Sequence, residues 1–142
     1  MEVLGQLLLR DRPFQVKRAA LGRTGEFWWI EVETEREEYG GEWWAPTIRH
    51  EGLRVNASTA GELEGKRVAW GQSRGVGYDH PEIGTMYVFG HHEIEDAVLN
   101  FGGYSKGQIA LSWKGVADVL WDESFAERVD FACECKAQVH EG

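Results

Sequence analysis

The sequence has little of what would place it in a specialised class of protein. It contains two cysteines and three prolines in 142 residues, and no apolar run reaches the roughly 20 residues that cross a bilayer. Its first residues lack the basic start and the long apolar stretch of a signal peptide. Two cysteines without a secretory signal suit a reducing compartment, so we expect a cytoplasmic protein that does not enter a membrane.

Basic charge is also scarce. Fifteen Lys and Arg stand against 24 Asp and Glu, which gives a formal net charge of −9. Nucleic-acid phosphates and anionic membrane surfaces repel a protein of this charge. We therefore expect no nucleic-acid or membrane partner, and the charge favours a basic protein as the partner.

Established catalytic motifs are missing as well. "GQSRGVG" is rich in glycine but has neither the lysine nor the Ser or Thr of a phosphate-binding loop. No serine stands in a nucleophile-elbow context. On these grounds the sequence predicts no catalytic residues and no cofactor.

The sequence is well supplied with aromatic and β-branched residues, arranged in short runs between glycines. Runs such as "EFWWIEVET", "QIALSWKGVADVLW" and "RVDFACECKAQV" alternate with a period of two residues, which is typical of half-buried strands. At most one short helix is expected, and its place is "STAGELEGK", where Ser58 or Thr59 can cap and Glu62 follows within a turn. We predict a single β-domain over 1–142, an all-β fold that is an antiparallel β-sandwich or an open barrel of about 7–9 short strands.

The last predicted strand places Cys133 and Cys135 on its apolar face. That face also holds Val129, Phe131, Ala137 and Val139. The two thiols lie about 6.5 to 7 Å apart along an extended chain, which is awkward for a disulfide, and two thiols fall short of four metal ligands. We interpret them as reduced thiols of the core, with a redox role as the alternative.

The stretch "EFWWIEVETEREEYGGEWW" raises the question of which tryptophans are buried. In an extended segment Trp28 shares a face with the apolar residues, whereas Trp29 lies with the glutamates, and Trp43 and Trp44 must also diverge. "YGGE" supplies a turn, so the two tryptophan pairs are predicted on neighbouring strands of one hairpin. One ring of each pair is then expected at the surface.

The same stretch is strongly acidic. Six glutamates lie within the twelve residues 31–42, opposed in sequence by Arg36 alone. Like charges crowded on a strand destabilise it, and a cationic partner would relieve that cost. The candidate partner-binding residues are Trp29, Glu35, Glu37, Glu38, Tyr39 and Trp43.

A second group of polar residues suggests a metal. "GYDHPEIGTMYVFGHHEIED" gathers Asp79, His80, Glu82, His91, His92, Glu93, Glu95 and Asp96 within 18 residues. His91, Glu93 and Glu95 would share one strand face, but the spacing matches no established metal motif. We predict no metal site here, and keep these three residues as the ligands of the alternative.

Three functional classes follow from these patterns. The favoured one is a non-enzymatic protein-interaction module, of a regulatory or toxin-neutralising type, that binds a basic partner. The alternatives are a metal-dependent enzyme that uses the His91, His92 and Glu93 region, and a carbohydrate-binding domain that uses an exposed tryptophan.

Overall fold

Eleven strands and one short helix make up the part of the chain that the computed structural model describes. That part comprises residues 5–53, 55–70, 85–88, 91–117, 119 and 128–140, without the side chains of residues 70, 91–93 and 95. The strands are β1 (Gly5–Leu9), β2 (Arg12–Thr24), β3 (Phe27–Thr34), β4 (Glu37–Tyr39), β5 (Glu42–Trp44), β6 (Thr47–Leu53), β7 (Arg67–Trp70), β8 (Thr85–Tyr87), β9 (His91–Ser105), β10 (Gln108–Ala117) and β11 (Val129–His140); the helix is α1 (Ala60–Leu63). The prediction of an all-β fold is confirmed.

Nine of these strands form one sheet that closes on itself. Their order is β10-β11-β1-β2-β3-β6-β8-β9-β7, and β10 also pairs with β9, so eight strands complete a ring. The pairings are antiparallel, apart from a short parallel contact between β11 and β2. β4 and β5 form a separate two-stranded sheet. The pairing of β9 with β10 therefore shows that the fold is a barrel and not a sandwich. The barrel is closed rather than open.

The inward-facing row of each strand fills the interior of this barrel. Buried and exposed residues alternate along β11 from Val129 to His140, as the sequence predicts. Among the described residues, the largest fully buried side chains are Trp28, Trp44 and Trp113. Burial of such rings supplies much of the hydrophobic stabilisation of a domain.

The two ends of the barrel are covered by different elements. At one end, α1 buries Ala60 and Leu63. The Thr59 side chain accepts a hydrogen bond from the Glu62 N–H, and the Glu62 side chain accepts one from the Thr59 N–H, so the predicted capping box is present. The β4–β5 hairpin follows the last residue of β3 and covers the other end. Within the described ranges, no helix has the length and apolar character that crossing a membrane requires.

Cys133 and Cys135 are buried in the barrel interior, as predicted, but their thiols lie closer together than predicted. The two Sγ atoms are 4.0 Å apart. The predicted separation of about 6.5 to 7 Å is wrong because it describes backbone positions two residues apart, and the side chains converge. The Cys133 thiol donates to the Cys135 sulfur, and this hydrogen bond together with burial raises the pKa of Cys133 above its ordinary value of 9.0. This thiol therefore stays protonated near neutral pH.

Candidate functional site

The predicted acidic hairpin is present, but it contains fewer elements than predicted. β4 pairs with β5 through a turn at Gly40 and Gly41, whose φ angles of 62° and 82° suit the type I′ turn that favours glycine. β3 is not part of this hairpin because it pairs with β2 on one side and β6 on the other. The prediction that the two tryptophan pairs lie on neighbouring strands of one hairpin is wrong.

The two tryptophans of β5 point to opposite sides of the hairpin. Trp44 is 1% exposed, and its indole N–H donates to the Tyr39 carbonyl at 3.1 Å. Trp43 is 56% exposed, more than any other large hydrophobic residue in the described part of the chain. The expectation that one ring of this pair lies at the surface is confirmed.

Tyr39 holds the hairpin to the end of the barrel. Its hydroxyl donates to the Pro13 carbonyl at 2.9 Å, and its ring meets the buried Phe14 edge to face, with 5.4 Å between centroids. The Arg12 guanidinium lies over both the Tyr39 ring, at 5.0 Å, and the Trp44 ring, at 4.7 Å. Tyr39 was predicted as a partner contact, and the structure gives its half-buried ring these anchoring contacts.

The environment of Tyr39 also changes its acidity. Desolvation by burial raises the pKa of the Tyr39 hydroxyl above its ordinary value of 10.0, and the nearby Glu37 carboxylate raises it further. The Arg12 guanidinium acts in the opposite direction and with a smaller effect than either. The phenol therefore remains a neutral hydrogen-bond donor at any pH where the hairpin is expected to function.

Four glutamates of the hairpin segment are exposed, and one of them lies directly beside the exposed indole. Glu38 lies opposite Trp43 in the β4–β5 register, whereas Glu37 and Glu42 lie opposite Trp44 and Tyr39; Glu35 precedes β4. The Arg36 guanidinium lies 5.2 Å from the Trp43 ring centroid. In the part of the chain that the structure describes, none of the ion pairs includes these four glutamates. Their charge remains at the surface of the hairpin that carries this large apolar ring.

The acids of β3 are neutralised by neighbouring strands. Arg49 on β6 lies 2.9 Å from one Glu31 oxygen, and Arg18 on β2 lies 3.2 Å from Glu33 and 3.8 Å from Glu31. The interpretation that Arg36 alone opposes the acidic run is wrong, because these arginines are distant in sequence and adjacent in the sheet. Six clustered glutamates thus divide into a paired group and an unpaired group.

Trp29 lies apart from the hairpin. It is half-buried on the outer face of β3, beside His140 at 5.8 Å between ring centroids. Thr34, at the end of β3, is five positions further along the extended chain, a rise of about 17 Å. The structure therefore brings together five of the six predicted partner-binding residues, namely Glu35, Glu37, Glu38, Tyr39 and Trp43, and leaves Trp29 on another surface.

The alternative metal site falls largely outside the described part of the chain. Asp79, His80 and Glu82 lie outside it, and so do the side chains at positions 91–93 and 95, whose backbone belongs to β9. Among the residues that the structure does describe, no group of three His, Cys, Asp or Glu side chains is placed to hold a metal ion. The alternative with His91, Glu93 and Glu95 stays a hypothesis.

Two arginines of this site were missed by sequence reasoning. Arg12 stands fourteen residues before the start of the tryptophan-rich stretch. Its contact with Tyr39 and Trp44 exists because β2 begins at the barrel end that the hairpin covers. Arg36 was counted as a charge and not as a stacking partner of Trp43. A scan of family models and searches of curated proteins and of solved structures give no significant match to this chain.

Proposed function

We propose that this protein is a non-enzymatic interaction module that binds a basic protein through the β4–β5 hairpin, as a regulatory or toxin-neutralising protein does. The observation that carries the proposal is the 56% exposure of Trp43, which lies beside Glu38 on a hairpin whose four glutamates have no described ion pair. Tryptophan is enriched among the residues that dominate binding energy at protein interfaces. A partner that covers Trp43 removes this apolar surface from water.

The charge of the hairpin selects the partner. Residues 35–44 contain four glutamates and one arginine, a net charge of −3. Complementary charge increases the rate of association and disfavours acidic competitors. A basic surface with a pocket for the indole matches both properties of the hairpin.

The anchoring contacts prepare the hairpin for binding. Trp44, Tyr39 and Arg12 hold its inner side against the barrel, and Arg36 restricts the Trp43 ring on its outer side. A surface that is already ordered loses less conformational entropy when a partner binds. The hairpin therefore acts as a rigid recognition element.

The proposal is tested by affinity capture from the source organism, followed by binding measurements with the purified partner. The triple variant Glu35→Lys, Glu37→Lys and Glu38→Lys is expected to lose the basic protein that the natural chain captures. Trp43→Ala is expected to weaken binding by at least about tenfold, with the salt dependence retained, because it removes apolar contact and no charge.

A matched control separates the hairpin from net charge. Glu26→Lys, Asp130→Lys and Glu134→Lys change the net charge by the same amount at exposed positions outside the hairpin. This control is expected to keep the partner. Unchanged affinity and salt dependence in the hairpin variant, or an equal loss in both variants, would refute the assignment to the hairpin.

A further inference from the structure

A second surface lies on the outer face of β2, β3 and β6, where a cleft of about 410 Å³ opens beside Trp29. Charged side chains from all three strands line it: Arg18, Glu31, Arg49 and Glu51. It is separate from the hairpin because Trp29 lies near the start of β3, whereas the hairpin follows its end. Its residues point to a ligand of a different chemistry from a basic protein.

Trp29 lines this cleft and packs against the neighbouring strand β2. Gly22 lies directly opposite Trp29 in the β2–β3 register, and a Cβ on Gly22 would stand 2.7 Å from three atoms of the indole. These three atoms of the ring, Nε1, Cε2 and Cζ2, therefore lie against the Gly22 backbone, and any side chain at position 22 would displace the ring. With Gly22 beneath it and His140 beside it at 5.8 Å between ring centroids, the half-buried indole keeps part of its surface toward the cleft.

An irregularity in the sheet makes room beside this ring. The β3–β6 register shifts by one residue across Trp29, so β6 carries one extra residue there. In that extra segment the Gly52 N–H donates to Nδ1 of the buried His50, at 3.1 Å, instead of to β3. β-bulges of this kind often lie beside functional sites because they redirect side chains.

The charged groups of the cleft balance one another and keep unused hydrogen-bonding capacity. Arg49 Nη2 meets Glu31 Oε2 at 2.9 Å, but Arg49 Nε and Glu51 Oε1 are 3.8 Å apart, as are Arg18 Nη1 and Glu31 Oε1. The two longer distances exceed the range of about 2.7 to 3.2 Å for a direct hydrogen bond. Guanidinium donors and carboxylate acceptors therefore lie next to each other, and a ligand group that bridges them can hydrogen-bond to both.

This balance decides the class of ligand. The two arginines and two glutamates that line the cleft sum to zero charge, and Glu33, 3.2 Å from Arg18 at the edge of the cleft, adds one negative charge. The glutamates therefore repel a phosphate, and the two guanidinium groups oppose a cation. A hydroxyl group donates and accepts, and therefore satisfies a neighbouring guanidinium and carboxylate together. We propose that the cleft binds a neutral saccharide, with the apolar C–H face of a pyranose on Trp29 and its hydroxyls between Arg49 and Glu51.

The test uses four methyl glycosides as probes: β-glucoside, β-galactoside, α-mannoside and β-N-acetylglucosaminide. Each is titrated into the ¹⁵N-labelled protein, and NMR follows the Trp29 indole N–H resonance together with the backbone amide resonances of residues 49–52, which remain available in Trp29→Ala. At least one glycoside is expected to shift this resonance saturably. Trp29→Ala is expected to weaken that binding by at least about tenfold, and Glu51→Ala by a few-fold, because they remove the stacking surface and one acceptor.

Two controls make the outcome decisive. Trp43→Ala is expected to bind the glycoside as the natural chain does, so this result is independent of the hairpin and of the protein partner proposed above. Inorganic phosphate and arginine methyl ester are expected to leave the Trp29 resonance unshifted. The proposal is overturned if none of the four glycosides shifts that resonance, if Glu51→Ala binds as well as the natural chain, or if phosphate or the arginine ester binds instead.

Discussion

β3 and the β4–β5 hairpin are built from the same kinds of residue, glutamates and a pair of adjacent tryptophans, but their surroundings differ. β3 lies between β2 and β6, and each of these strands supplies an arginine to its glutamates. The hairpin pairs with no other strand of the described structure, and its glutamates take part in none of the described ion pairs. Charge density read along a sequence therefore says little until the cross-strand neighbours are known.

The tryptophan pairs show the same contrast. Trp28 and Trp44 both fill the barrel interior, at 2% and 1% exposure. The tryptophans next to them in sequence differ. Trp29 is packed against Gly22 and His140, whereas Trp43 has a surface arginine beside it. An outward tryptophan within a sheet is partly covered by adjacent strands, and one on an isolated hairpin is not. This difference makes the hairpin the better candidate for a protein contact.

The largest expected effect separates the two sides of the hairpin. Trp44→Ala should reduce the free energy of unfolding by about 3 to 5 kcal/mol, because it leaves a cavity in the core. Trp43→Ala should change it by at most about 0.5 kcal/mol, as for other surface substitutions. Urea unfolding followed by circular dichroism measures both. Similar losses in the two variants would show that the hairpin does not divide into an anchored and an exposed side.

A smaller effect is expected from the arginine that anchors the hairpin. Arg12→Ala should reduce stability by about 1 to 2 kcal/mol, because its half-buried guanidinium lies over both Tyr39 and Trp44. Arg36→Ala is the matched control, since it removes a similar stack on an exposed ring and should cost about 0.5 kcal/mol. Urea unfolding together with limited proteolysis of residues 35–46 tests this. Equal effects would contradict the anchoring role of Arg12.

A weaker contribution is expected from the ion pairs of β3. A double-mutant cycle with Arg49→Ala and Glu31→Gln should give a coupling energy of about 0.2 to 1 kcal/mol, because the pair is partly exposed. The coupling should fall as salt is added. Glu37→Gln and Glu38→Gln on the hairpin should leave stability unchanged or slightly higher. A stability loss in these hairpin variants as large as that of Glu31→Gln would remove the contrast between the two acidic groups.

The smallest effect concerns the titration of Tyr39. The pKa of Tyr39 is raised in the folded state. The stabilisation that this shift provides is complete below the pKa of the unfolded chain, near 10, and is lost as the pH rises through the pKa of the folded state. The difference between the absorbance titrations of the natural chain and of Tyr39→Phe should show that Tyr39 ionises above pH 10. Glu37→Gln should lower this pKa, because one of the charges that raise it is removed. Ionisation of Tyr39 at or below the pKa of an unfolded chain would contradict the half-buried position of its ring.

Much of the strand structure could be predicted from local pattern. The alternation along 129–140 predicts which side of β11 is buried, because successive side chains of a strand point to opposite faces. Thr59 and Glu62 predict the start of α1, because their reciprocal hydrogen bonds need no other part of the chain. The same local parity separated Trp28 from Trp29 and predicted that one ring of the Trp43 and Trp44 pair is exposed.

Tertiary structure determined the features that depend on contacts between residues distant in sequence. Closure of the barrel requires the pairing of the last strand, β11, with β1 and β2 at the other end of the chain, contacts that no local pattern specifies. The same is true of the charges: Arg18 and Arg49 neutralise the glutamates of β3 only because β2 and β6 flank that strand. The periodicity of a strand determines which side chains share a face, and the pairing of strands determines what those side chains meet.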